Sequence, residues 1–124
     1  MRYREEPQGR MAVFLIPSLK LKKRDHGVTV EEKIHRFLVK KFGGYTAAAG
    51  NIFGYWKDAR GRDSYGEHRE FKVALRNQEL APVLKDFLAG IAQAIGEECI
   101  YLETGDETWF IYPAARTRTR RSRA

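Results

Sequence analysis

The stretch Phe42-Gly43-Gly44-Tyr45-Thr46-Ala47-Ala48-Ala49-Gly50-Asn51-Ile52-Phe53-Gly54-Tyr55-Trp56-Lys57-Asp58 joins two different patterns. On its N-terminal side Val30, Ile34, Phe37, Leu38 and Phe42 recur at helical spacing and form one apolar stripe. Thr29-Val30-Glu31-Glu32 precedes them as a capping box, in which the threonine hydroxyl takes the free amide of Glu32. Acids in the first turn and Lys40 and Lys41 in the last both suit the helix dipole, and Gly43 stops the helix. Inside the stretch, Asn51 to Lys57 is rich in aromatics and reads as a strand. A helix therefore ends and a strand begins here, with the segment 43–51 expected as a glycine-rich loop between them.

Further along, Asp58-Ala59-Arg60-Gly61-Arg62-Asp63 has the composition of a turn. Glu67 to Arg76 then alternates, with Phe71, Val73 and Leu75 on one face and His68, Glu70, Lys72 and Arg76 on the other. Residues 51–58 and 66–76 are expected to pair as a hairpin. A second helix opens after Asn77, tolerates Pro82 near its start, carries the stripe Leu80, Leu84, Phe87, Leu88, Ile91, Ala92 and Ile95, and ends at Gly96. Cys99 to Leu102 and Thr108 to Tyr112 are short strands, the latter stopped by Pro113. Upstream, Met11 to Ile16 is an apolar run closed by Pro17, which suits a central strand. Leu19 to Gly27 reads as a basic loop or a frayed strand extension. The order predicts an α+β domain of ferredoxin-like split β-α-β (βαββαβ) type, an antiparallel sheet with two helices on one face. It spans 11–113, between a flexible arm at 1–10 and a basic, disordered tail at 114–124.

The 124 residues carry a net charge of +7. Arg116, Arg118, Arg120, Arg121 and Arg123 supply most of it, and without them the chain stands at +2. A basic tail of this kind either solubilises the chain or adds affinity for nucleic acid. The lone Cys99 excludes an intrachain disulfide and a cysteine-only metal site. No apolar run approaches the ~18 residues of a membrane span, so a cytoplasmic protein with no membrane partner is expected.

Candidate chemistry is sparse. Gly43, Gly44, Gly50 and Gly54 match neither the Walker loop nor the dinucleotide fingerprint, and they follow a helix C-terminus, where the dipole disfavours an anion. Capping and strand packing explain them better. Phe53, Tyr55, Trp56, Tyr65, Tyr101, Trp109 and Tyr112 divide between the two faces of the sheet. The open set suits base stacking or, better, burial against a second subunit. His68 and Glu70 share a strand face and are candidates for an acid–base pair or part of a metal site, but a surface histidine and a cross-strand ion pair explain the same residues more simply. No cofactor and no metal is implied.

The pattern Phe-Gly-Gly-Tyr-Thr at 42–46, with Gly54-Tyr55-Trp56-Lys57-Asp58 and Gly61-Arg62, resembles one found in small uncharacterised bacterial and phage proteins. The resemblance covers the first helix through the hairpin. It implies a ferredoxin-like fold and brings no catalytic residues with it.

These readings favour a small binding protein over an enzyme. Tyr45, Thr46, Asn51, Trp56, Arg60 and Arg62 are the expected pocket for a nucleotide or another small phosphorylated ligand, bound or sequestered by a homodimer or higher homo-oligomer assembled through the open sheet face. The rivals are a nucleic-acid binder that uses the arginine tail and the open face, and a small enzyme that uses His68 and Glu70.

Overall fold

The computed structural model describes residues 2–57 and 60–114, leaving aside the side chains of 49–51, 56, 63 and 64. The arginine tail, Arg116 to Arg123, lies outside the described residues, as do the side chains of Asn51 and Trp56.

The first strand, β1 (Arg10–Pro17), ends at its proline and passes through a short 3-10 turn, Ser18–Lys20. A two-stranded ribbon follows, β2 (Arg24–Asp25) and β3 (Val28–Thr29), then α1 (Val30–Phe42). The long hairpin β4 (Thr46–Lys57) and β5 (Asp63–Leu75) leads to α2 (Leu80–Ile95) and to the short strands β6 (Ile100–Glu103) and β7 (Thr108–Ile111). The five long-range strands form one sheet in the order β4-β5-β1-β6-β7, every neighbouring pair antiparallel. The architecture is α+β, two helices and an antiparallel sheet.

Each helix forms where the sequence expects it. Thr29 Oγ1 accepts the amide of Glu32 at 3.1 Å, while the Glu32 carboxylate binds Arg36 one turn on. Gly43 takes φ 82° and Gly96 φ 72°, the left-handed caps that glycine adopts at least cost. The buried face of the sheet comes from alternate residues: Ala12, Phe14 and Ile16 of β1, Phe71, Val73 and Leu75 of β5, Ile100 and Leu102 of β6. Against them pack Val30, Ile34, Leu38 and Phe42 of α1 and Leu84, Leu88, Ile91, Ala92 and Ile95 of α2. Phe14 and Phe71, paired in register, stack with centroids 5.1 Å apart. Phe37 and Phe87 stack between the helices at 3.7 Å. Arg69 of β5 reaches Glu31 of α1 and ties the hairpin to the same layer.

Three local differences from expectation have physical reasons. The strand after α1 begins at Thr46 rather than Asn51, so the glycine-rich loop shrinks to Gly43–Tyr45. Small residues at 47–50 permit this, because the register jumps between Ala48 and Ile52 and a bulge on this edge strand absorbs the surplus. The basic segment 19–27 also contains β2 and the turn of the β2–β3 ribbon. Its two-residue turn, His26-Gly27, has positive φ at both positions (56° and 82°), the requirement of a type I′ hairpin. No helix among the described residues is long and apolar enough to cross a membrane.

Candidate functional site

The site is built where α1 hands the chain to β4. Gly43 donates its amide to Val39 and turns the backbone. Arg76, just past the end of β5, donates to the carbonyls of Phe42 at 2.9 Å and Lys41 at 3.4 Å, so a guanidinium satisfies the acceptors of the helix end. Tyr45 then folds back. Its hydroxyl shares a 2.9 Å hydrogen bond with His35 Nδ1 on α1, and its ring lies 6.0 Å from that of Phe71. Thr46 begins β4 opposite Lys72.

The facing wall is the start of the chain. Gly9, at φ 78°, lies so close to β5 that an added Cβ would stand 2.0 Å from the Leu75 carbonyl oxygen, and only glycine fits. Arg10 pairs with Leu75 in the sheet and grips both oxygens of Asp106 at 2.9 and 3.1 Å. Between the two walls, over the last residues of β5, is a recess of about 400 Å³. It is lined by Gln8 to Met11, Gly44, Tyr45, Thr46 and Lys72 to Ala74. That volume falls within the ordinary range of small-molecule sites. Its two cations have carboxylate partners, Arg10 with Asp106 and Lys72 with Glu70 at 3.5 Å. The recess thus has polar groups without a surplus of positive charge.

Of the residues expected to form the pocket, Tyr45 and Thr46 line this recess. Asn51 and Trp56 are in β4, with side chains outside the described residues. Arg60 and Arg62 sit beyond the far end of the same strand, which at about 3.3 Å per residue is roughly 35 Å away. Tyr45 and the two arginines therefore do not share one cavity within this chain. The far end of the hairpin instead exposes Phe53, Tyr55 and Tyr65, the last two with ring centroids 6.0 Å apart. Ala74 and the segment Gln8–Met11 are not marked as site residues by the sequence, Ala74 because it sits in a regular strand, and Lys72 is marked there only as a neighbour of His68 and Glu70 on one strand face. Gly9, a glycine just ahead of an apolar strand, was the available signal.

His68 and Glu70 lie on the sheet face away from the helices. His68 is buried, and its Nδ1 donates to the Gly66 carbonyl at 2.8 Å. On the same face Tyr101 donates its hydroxyl to Glu103 at 2.6 Å and approaches Phe110. Among the described residues, no three His, Cys, Asp or Glu side chains group as metal ligands.

No protein-family profile matches the chain, and no curated protein does. Among solved structures the fold is similar to that of a phage SAM lyase in complex with S-methyl-5'-thioadenosine. The superposition covers 90% of this chain and 95% of the other, with a TM-score of 0.58 and 14% sequence identity. At that identity the likeness is one of fold.

Proposed function

We propose that this chain binds a small nucleoside-bearing molecule, of the kind S-methyl-5'-thioadenosine represents, in the recess between Gly44–Thr46 and Gln8–Met11. The observation that carries the reading is the recess itself: about 400 Å³, open to solvent, with an aromatic side wall at Tyr45, in a chain whose fold resembles that of a nucleoside-bound protein. The paired state of Arg10 and Lys72 favours a neutral nucleoside over a polyphosphate. The strand order β4-β5-β1-β6, with α1 linking β1 to β4 and α2 linking β5 to β6, supports a ferredoxin-like split β-α-β class with β7 added at the edge. Kinship with the small phage and bacterial proteins that share the Phe-Gly-Gly-Tyr-Thr pattern, and self-assembly through the open sheet face, belong to the same proposal.

Thermal unfolding with and without ligand tests it. A ligand at a hundred times its Kd stabilises a folded protein by about 2.7 kcal/mol. S-methyl-5'-thioadenosine is expected to raise the melting temperature of the full chain, and AMP to raise it less. Gly44→Leu is expected to abolish the shift and to leave the unliganded melting temperature alone. Gly44 has no positive φ, and a Cβ there meets nothing within 4 Å, so a side chain can be added at this lining position without backbone strain or a clash at Cβ. An unchanged shift in Gly44→Leu removes the recess from consideration. Formation of S-methyl-5'-thioadenosine from S-adenosylmethionine by the purified chain would move it from binder to enzyme, and loss of that activity in His68→Ala or Glu70→Gln would locate the chemistry on the open face.

A further inference from the structure

We infer that the recess reads an adenine ring through the exposed backbone edge of β5 at Ala74; the inference rests on the nucleoside reading above and names its base. In an antiparallel pair, residues alternate between those that exchange both hydrogen bonds with the partner opposite and those whose N–H and C=O aim the other way. The close approach of Gly9 to the Leu75 carbonyl oxygen shows that this carbonyl points across to the N-terminal arm. Leu75 and its partner Arg10 are therefore the hydrogen-bonded kind of pair. Ala74, one residue earlier, turns its N–H and C=O to the opposite edge, the side on which β4 lies. There β4 has already left. Its pairing with β5 begins with Thr46 opposite Lys72, and Tyr45 and Gly44 lead away toward α1. Among the described residues no strand pairs with β5 at Ala74 on that side, and Ala74, Gly44, Tyr45 and Thr46 all line the recess.

A strand residue that faces outward presents one donor and one acceptor side by side. The Watson–Crick edge of adenine presents the complement, the N6 amino donor beside the N1 acceptor. The Ala74 amide donates to N1, and the Ala74 carbonyl accepts from N6. The reading requires no particular side chain, which accounts for the absence of a nucleotide motif in the sequence.

The test varies the ligand, so folding is not at issue. Calorimetric titration of the full chain compares S-methyl-5'-thioadenosine with its 1-deaza, N6,N6-dimethyl and 7-deaza counterparts. Removal of N1 or of both N6 protons is expected to weaken binding about tenfold each, the equivalent of one lost hydrogen bond of ~1.4 kcal/mol. The 7-deaza compound keeps that edge intact and is expected to bind within threefold of the parent. Equal affinity for all four overturns the base reading and leaves nucleoside binding standing, and so does a loss confined to the 7-deaza compound. Absence of binding by any of them overturns both.

Discussion

Tyr45 is held from two sides, by His35 at its hydroxyl and by Phe71 at its ring, so its orientation toward the recess is set before any ligand arrives. The two halves of the side chain have separable effects. Tyr45→Phe removes the bond to His35 and is expected to lower stability by about 1 kcal/mol, measured by denaturant unfolding, while ligand affinity stays within threefold. Tyr45→Ala removes the wall and is expected to weaken nucleoside binding tenfold or more. An equal loss of affinity in the two variants would show that the hydroxyl, not the ring, meets the ligand. Tyr45 and Thr46 stand out in the sequence as aromatic and hydroxyl groups after a helix-stopping glycine, and both line the recess. Ala74 was not legible. It contributes through its backbone, and a backbone edge leaves no trace in residue type until the neighbouring strand is known to depart.

Elements show the same division. The first helix was legible in full, since capping threonine, apolar stripe and terminal glycine agree with one another, and the second was legible from its apolar stripe and terminal glycine alone, its start carrying no side-chain cap. The start of β4 was not, because three alanines carry no strand signal and the bulge between Ala48 and Ile52 breaks the alternation a strand would show. The β6–β7 unit carries a pH response. Burial, reinforced by Glu98, raises the pKa of the Cys99 thiol. The hydrogen bond to Glu103 raises that of Tyr101, and the proximity of Cys99 raises that of Tyr112. All three groups hold their protons more tightly folded than unfolded. Their contribution is present below the unfolded pKa values, about 8.5 for the thiol and 10 for the phenols, and is lost as pH rises past them. Melting temperature followed from pH 7.5 to 10.5 should therefore fall, and fall less steeply in Cys99→Ala and Tyr101→Phe. Parallel slopes in all three proteins would show that these groups do not govern the alkaline limb.

At the scale of the whole molecule, one sheet carries two unequal surfaces. The helices cover one face, and the other is left with Met11, Phe110 and Tyr112 exposed beside Glu70, Lys72 and Glu103. The long hairpin separates Arg60 and Arg62 from the recess, so a site that joins glycine loop and hairpin arginines requires a second chain to supply the latter. That separation is not legible in the sequence, because the alanines at 47–49 hide the first five residues of β4. The proposed nucleoside site is the recess at the start of β4. The most direct measurement is a two-dimensional amide NMR titration of the full chain with S-methyl-5'-thioadenosine. The expected result is saturable movement of the Gly44, Tyr45, Thr46 and Ala74 resonances, with the Ala74 amide shifted downfield by a new hydrogen bond. Movement confined to the turn at 60–62 or to Tyr101 and Phe110, or no movement at all, would contradict it.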